Sequence, residues 1–542
     1  MRQAEQSKQS RSGHILALLA TLCMLFAAPA AGSLLAGVPI TSKAGFLLEA
    51  AARPTATQAH ALQRCLAAAR ASGAASMQVT LQQDARNYTL LQARNAQLRG
   101  SRIMPLAFVQ PASSADVSAA VRCSVEAGLR FVARNGGHNY EANSLVGGGV
   151  VIDLINLHQL HINANAHTMT VGAGYRLGSL YHKLTPLGYV LPGSTCVGVG
   201  ISGLTLGGGI GHATRTLGVL ADSVLAATVV LANGTVVQAD NRSHPELFWA
   251  IRGGAGLYGI VTSWKFKLFK APKQVSVVRY MFRENCTQAK YAQVLAAFNA
   301  WQPWKLSKEH AMAEVQCGYD SLQVQFWYWG PMSEANKTMA ASPVFQLPNS
   351  YPFIHREYSW PDFVAQRMTN LQDEKDWGEG NLLLSDILQR LYKERGSFVA
   401  GSLVPMAPFN STAVAMVAKH TARAQKHAFI QTRAWGGQLA AVPADFNAFP
   451  WRHAPYECQV YSSSGDARKD RSWVDGLLAA MHPLAGPAEY VNYFHCVNNP
   501  WQAYFGPHAL RLQRIKRAYD PRGRIGGLYC QQDNIIDESA GR

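Results

Sequence analysis

Three places in this chain hold residues whose types and spacing suit chemistry: a histidine after a glycine pair, a cysteine opening a glycine run, and a tyrosine pair near the C-terminus. In Arg134-Asn135-Gly136-Gly137-His138-Asn139-Tyr140 the glycines carry no Cβ and can take positive φ, so backbone can press against a flat ligand with the His138 imidazole at its edge. By itself the heptapeptide is equally a glycine turn before a surface histidine. Downstream, Cys196-Val197-Gly198-Val199-Gly200-Ile201-Ser202-Gly203 opens a run that continues through Gly207, Gly208, Gly209 and Gly211. Glycines this dense and irregular fit no regular element, and backbone N–H groups in such turns form concavities that suit a pyrophosphate. Gly198 to Gly203 also matches GxGxxG, with Asp222 near the place of a ribose-binding acid. A Rossmann fingerprint needs a strand directly before it, where this chain has the loop Pro192-Gly193-Ser194-Thr195. In Tyr456-Glu457-Cys458-Gln459-Val460-Tyr461, strand alternation puts Glu457 and Gln459 on one face. Tyr490 and Asn492 likewise share a face, while Tyr493 points away unless the strand ends there. An ordinary polar face and a set of core and cap residues are the plain alternatives for these two segments.

Taken together and in order, the motifs resemble the berberine bridge enzyme-like flavin oxidases. The resemblance is carried by Arg134 to Glu141, Val151-Ile152-Asp153-Leu154, Cys196 to Gly211, Gly218 to Val224, Leu247 to Gly254 with Tyr258-Gly259-Ile260-Val261, and Tyr490-Val491-Asn492-Tyr493. It implies covalent FAD, bonded by His138 at the 8α-methyl and by Cys196 at C6 of the isoalloxazine; a disulfide partner or buried thiol is the other reading of Cys196. Around the cofactor it places Arg134, Asn135, Gly136, Gly137, Asn139, Gly198, Val199, Gly200, Ser202, Gly203, Gly208, Gly209, Gly211, Val261 and Asn492, with no metal. Tyr493 becomes the general base that takes the proton of a substrate hydroxyl, with Tyr490, Gln459 and Glu457 beside the substrate. An ordinary tyrosine titrates near ~10, so such a base needs a positive charge or donors on its phenolate; Arg433 and Gln459 are the candidates. Val199 stands where, in the family, a small residue admits dioxygen and a leucine hinders it, which favours O2 as acceptor and H2O2 as product.

The chain also departs from the family. Asn135 replaces the serine usual in plant relatives, Leu217 replaces a common tyrosine, and Glu457 stands where several alcohol-oxidising members have lysine. The Cys196 to Gly203 stretch looks like the microbial sugar oxidases, so the resemblance implies a sugar, alcohol or oligosaccharide substrate. The alternatives are a flavin dehydrogenase or oxidative-cyclisation enzyme of the same family, a nicotinamide-linked dehydrogenase, and a secreted flavin- or glycan-binding protein without turnover.

Positioning these groups calls for an α+β fold. Leu129 to Ala133 and Val150 to Leu154 read as strands flanking the histidine loop, and Ser114 to Ala127 and Leu177 to Leu187 show helical spacing. Val224 to Val237 reads as two strands joined at Asn233-Gly234. From Val275 to Phe282 and again from Gln323 to Trp329 the pattern is strand, followed by helical spacing at Pro361 to Leu371, Leu382 to Tyr392, Thr412 to Gln425 and Ser472 to Met481. The resemblance makes this a two-subdomain PCMH-type FAD-binding lobe with a substrate lobe of antiparallel sheet backed by helices. The expected boundaries are a signal peptide over 1–32, an N-terminal segment over 33–97, the FAD-binding domain over 98–271, the substrate-binding domain over 272–486, and a C-terminal segment over 487–542 that returns to the FAD lobe.

At 542 residues the chain exceeds what one core usually supports, which agrees with two lobes. Its charge of +17 is scattered and marks no basic helix or zinc-finger pattern, so nucleic acid is not an expected partner. Arg2, Lys8 and Arg11 precede the apolar Ile15 to Ala28 and the small residues Ala30-Ala31-Gly32, the order of a secretory signal. The apolar run falls short of the ~20 residues of a spanning helix, so no stable membrane insertion is expected after cleavage; an uncleaved anchor or a transit peptide are the other readings. Sequons at Asn87, Asn233, Asn241, Asn285, Asn336 and Asn410 agree with secretion. In an oxidising compartment, the resemblance pairs Cys65 with Cys123; Cys286 with Cys317 and Cys496 with Cys530 are plausible further pairs, which would leave Cys458 free.

Overall fold

The structure, a computed structural model, describes residues 54–97, 102–194, 196–319, 321–364 and 396–527. The segment expected as a signal peptide, Cys530 and the helical spacing over 382–392 lie outside them, as does most of that over 361–371.

The first subdomain is a four-stranded sheet, β1 Gln78–Leu81, β2 Ala107–Gln110, β3 Phe131–Arg134 and β4 Val150–Asp153, in the order β1-β2-β4-β3. Strand β4 runs parallel to both β2 and β3, which requires a crossover after β2. The helix Ser114–Glu126 supplies it, and a capping box of Ser113 and Asp116 fixes its start. Its Val117 and Val121 pack with Val109, Phe131 and Ile152, and with Leu62 and Leu66 of the helix Ala56–Ala71.

A Cys65–Cys123 disulfide joins those two helices, with Cα atoms 5.4 Å apart, and Cys286–Cys317 forms a second. Both match the sequence expectation, and Cys458 is a free, buried thiol. The bond at Cys65 spans 58 residues. Its removal in C65A/C123A is expected to cost about 2–4 kcal/mol, read as a lower thermal midpoint; an unchanged midpoint would show the helix pair to be held by packing alone.

The second subdomain comprises β5 Leu160–Asn163, β6 Thr168–Gly172, β7 Tyr189–Val190, β8 Val224–Val230, β9 Val236–Ala239, β10 Ile260–Lys267 and β11 Phe269–Lys270. Five of these form a sheet in the order β5-β6-β10-β8-β9, and β7 pairs with β11. As the sequence suggests, β8 and β9 form a hairpin, with Gly234 at φ 85° in its turn.

Beyond residue 273 the chain builds a seven-stranded antiparallel sheet. Its members are β12 Gln274–Phe282, β13 Met312–Gly318, β14 Leu322–Tyr328, β15 Ser350–Ser359, β16 Val399–Leu403, β17 Ala428–Ala434 and β18 Tyr456–Ser462, ordered β15-β12-β14-β13-β17-β18-β16. Alternation along the strands sends Val315, Val324, Ile430 and Val460 to one face. There they meet Val294 of the helix Gln288–Trp301, Val417 of Ser411–Thr421 and Leu477 of Ala467–Ala485. Residues of opposite parity, Glu314, Gln316, Gln323, Gln325, Gln431, Arg433 and Glu457, are polar yet buried. An apolar face backed by helices is ordinary; a buried polar face opposite it must look onto something polar. Among the described residues, no helix is long and apolar enough to cross a membrane.

Candidate functional site

The polar sheet face looks into a cavity of about 310 Å³ whose other walls come from the flavin-type lobe, within the usual range of small-molecule sites. Of the expected residues, Asn135, Gly136, Gly137, His138 and Asn139 line it from the loop after β3, and Cys196, Val199, Gly200, Ser202, Gly203 and Gly211 from the glycine run. Val261, Gln459, Tyr490, Asn492 and Tyr493 complete the expected set.

Five expected residues stand behind this lining. Arg134 is fully buried, donating to the Leu91 carbonyl and to Asp153 Oδ2, each at 2.6 Å. The Gly198 carbonyl accepts from Arg176 at 2.7 Å. Gly208, at φ 105°, packs against the Phe449 ring, and Gly209 donates to the Tyr490 hydroxyl. Glu457 lies fully buried under Arg433.

Steric necessity shapes the histidine loop. Gly137 has φ +73°, and a Cβ there would stand 2.7 Å from the Arg94 carbonyl oxygen; one on Gly136 would press into the Gly200 backbone. The two loops are tied together by Asn135, whose Oδ1 accepts from Ser202 N at 3.0 Å and whose Nδ2 donates to the Tyr175 carbonyl. Ser202 in turn donates to the Ala173 carbonyl and accepts from the Trp264 indole. Asn139 Oδ1 accepts from the backbone of Glu141 and Asn143. The departure at Asn135 is therefore structural: its amide bridges both loops.

These residues fit a flavin with two attachment points. The buried Nε2 of His138 has no hydrogen-bond partner. Burial, with Arg176 nearby, pushes the imidazole down to about 3, so at physiological pH the ring is neutral and one of its nitrogens keeps a free lone pair. Cys196 shares the cavity but is disulfide-bonded in this structure, so a thioether to flavin requires that sulfur to be released first. Behind the loops, Arg94 and Arg134 both pair with Asp153, with Arg176 close by. Three guanidinium groups gathered there make a positive field that suits a diphosphate.

The GxGxxG alternative loses its geometry. A short helix, Ile201–Leu206, follows the glycines, but a loop from Leu191 precedes them. Asp222 is committed elsewhere, to Val219 N at 3.0 Å, Asn447 at 2.7 Å and Arg452 at 2.7 Å.

Residues 490–493 correct an expectation, because they form no strand. Val491–Tyr493 is a 3-10 turn with Tyr493 N bonded to the Tyr490 carbonyl at 2.9 Å. With three residues per turn, side chains three apart eclipse, so Tyr490 and Tyr493 both face the cavity. The Tyr490 oxygen accepts from Gly209 N (3.1 Å), Ile210 N (3.2 Å) and Asn492 Nδ2 (2.9 Å). The Tyr493 ring stacks on Tyr140, with centroids 5.6 Å apart and planes 3° from parallel, and takes the Tyr490 ring edge-on.

Burial raises the Tyr493 phenol, Glu457 raises it further, and the Arg433 guanidinium opposes both by charge and hydrogen bond. Two lining residues escaped the sequence reading as site members. Tyr140 was visible only as the end of a loop, although its hydroxyl accepts from Gln459 at 2.7 Å. Gln431 is the other: with Arg433, already a candidate partner for Tyr493, it repeats on β17 the two-residue spacing of Glu457 and Gln459, the signal that could have found it.

Comparison with known proteins agrees with this geometry. Residues 105–240 match the family described as FAD binding domain. Xylooligosaccharide oxidase from Thermothelomyces thermophilus is 29% identical over 510-odd aligned positions (513), covering 89% of this chain and 96% of that protein. The structure of BBE-like 1 from Physcomitrella patens has 26% identity and a TM-score of 0.74, covering 85% of this chain and 97% of the other. Glucooligosaccharide oxidase from Acremonium strictum, whose FAD is described as 6-S-cysteinyl and 8α-N1-histidyl, has a TM-score of 0.75 at 23% identity, covering 86% and 98%; at that identity it shows the fold alone.

Proposed function

Because the chain belongs to the berberine bridge enzyme-like FAD-linked oxidoreductases, we propose that it is a secreted oxidase of a sugar or other polyhydroxylated substrate, carrying FAD on His138 and Cys196. Bound there, FAD supplies the two-electron acceptor for the hydride of the carbinol carbon, and dioxygen the final acceptor, giving hydrogen peroxide.

The observation that carries the substrate reading is the row of amides over the cavity. Pairing aligns Gln323 with Gln316, Gln316 with Gln431, and Gln431 with Gln459 across four adjacent strands. Gln431 and Gln459 reach the cavity, where the amide groups left beyond the bonds to Arg433 and Tyr140 combine donors and acceptors, the complement of vicinal hydroxyls. Tyr140 and Tyr493 add flat ring surface beside them. Tyr493 holds and moves the substrate proton, Tyr490 and Asn492 fix the turn that presents it, and Val199 at the cavity wall leaves access for dioxygen. Secretion is supported by the Cys65–Cys123 and Cys286–Cys317 disulfides and by the exposure of all six sequon asparagines.

A panel of sugars and oligosaccharides, followed anaerobically for flavin bleaching and in air for peroxide, tests the reading; bleaching by no hydroxylated donor would end it. Covalency is read separately. The acid-precipitated wild type should stay yellow, H138A and C196A should each retain flavin through the surviving bond, and only the double variant should release free FAD. Complete release from either single variant contradicts two attachments.

A further inference from the structure

The row next to the amides is charged, and one of its members, Arg433, reaches the cavity. Register places Gln325, Glu314, Arg433 and Glu457 in one line across β14, β13, β17 and β18, with Arg279 of β12 at its end. Arg433 donates from Nε to Glu314 Oε2 at 3.0 Å and from NH2 to Gln431 Oε1 at 3.1 Å. Its NH1 lies 3.6 Å from Glu457 Oε1, an ion-pair distance without a hydrogen bond. Neither oxygen of the fully buried Glu457 has a hydrogen-bond partner. One guanidinium thus faces two carboxylates and, through its bond to Tyr493, a phenol.

The neighbours leave few charges to consider. Tyr140 on the flavin loop, Tyr490 on the 3-10 turn, and Cys458 and Tyr461 on the Glu457 strand are all pushed up by burial and stay neutral. His212, near Arg433, is pushed down to about 3 and is neutral too. Arg279 bonds Gln325 at 3.0 Å, three strands from Arg433. The centre of the row therefore holds Arg433, Glu314 and Glu457. Two buried carboxylates on one cation leave an uncompensated charge, which a dry site resists. The acid without hydrogen bonds is the one to carry a proton.

We propose that Arg433 is the positioning residue that makes Tyr493 a usable base, and that Glu457 is its titrating counter-group, which turns the Arg433 charge onto the phenol when protonated and divides it when ionised. The inference rests on Tyr493 being the base of the proposed oxidation. The step concerned is the proton half: the substrate O–H bond breaks and its proton passes to the Tyr493 oxygen, while the hydride leaves the same carbinol for FAD and a carbonyl forms. Burial, tempered by Arg433 and reinforced by Glu314, pushes Glu457 up to about 8, so its change of state falls in an accessible range. The sign is fixed: ionised Glu457 raises Tyr493, so the two sites share their last proton and titrate as a pair.

The test uses FAD-loaded full-length protein with ring-13C tyrosine, titrated by infrared difference spectroscopy, with Y493F spectra subtracted to isolate Tyr493. E457Q keeps the shape of the neutral acid and should move the tyrosinate midpoint down by about one pH unit or more, the scale of one nearby like charge. R433Q should move it up, with R433K between R433Q and wild type because it keeps the charge and loses the fork. A midpoint unmoved in E457Q overturns the proposal, as does an R433Q midpoint at or below that of wild type. R433K guards against misfolding of R433Q. The readout needs no turnover: absence of flavin bleaching with every donor defeats the oxidase reading, whereas bleaching with an unmoved midpoint defeats this inference alone.

Discussion

Tyr493→Phe is expected to slow anaerobic flavin reduction by ~10²–10⁴-fold, the range lost with a general base, while KM changes little. The two effects separate because only the phenol oxygen is removed. The ring keeps its stack on Tyr140 and its edge contact with Tyr490, so the surface against which a substrate packs is preserved. Tyr490→Phe makes the contrasting case. Its oxygen accepts three N–H groups, two from the glycine-run backbone, and removing it orphans buried donors at about 1–3 kcal/mol. Tyr490→Phe should therefore lower the thermal midpoint and loosen the cofactor loop more than it slows the proton step. Stopped-flow reduction of the two variants separates the roles. Wild-type reduction rates in Tyr493→Phe would remove Tyr493 as base and shift attention to Glu457, the other buried proton carrier beside the cavity.

What could be read in the sequence follows the physics of each element. Strands whose alternation puts apolar residues on one face and glutamine on the other, such as β14 and β18, were legible because burial has period two. The glycine motifs were legible because their demand is steric: Gly137 with its positive φ and Gly136 against Gly200 admit no side chain. Tyr490 to Tyr493 was misread because four residues cannot distinguish period two from period three, and the bond from Tyr493 N to the Tyr490 carbonyl decides it. The Glu314–Arg433–Glu457 row was invisible because it exists only across strands, joining positions 314, 433 and 457 through register. Asn135 resembled a family deviation until its amide was seen bonding Ser202 and Tyr175. In each case the missing information was a partner far along the chain.

The second large effect lies beneath the cofactor loop. Asp153→Asn is expected to destabilise the fold by about 3–5 kcal/mol, the penalty of removing one partner from a buried ion pair. Asp153 ends β4 with no exposure, and Arg134, the last residue of β3, and Arg94 each meet its Oδ2 at 2.6 Å. The amide preserves volume but removes the carboxylate charge that Arg134 and Arg94 share, so the loss is electrostatic. Burial alone would raise this carboxyl, yet Arg134 and Arg94 outweigh it and hold it below the ordinary aspartate value. A folded-state value below the unfolded one gives stability that is fully present above the unfolded value of ~3.9 and is lost as pH falls through the folded one. Wild type should accordingly lose this contribution below about pH 4, whereas Asp153→Asn, having none to lose there, should show a flatter acid limb from a lower plateau. Denaturant melts across a pH series measure both features. The functional consequence follows from position: Arg134 is the hinge from which the His138 loop departs, so the variant should also retain less FAD at equal protein concentration. Equal plateaus for variant and wild type would mean the two arginines find other partners, and that the carboxylate does not fasten the loop.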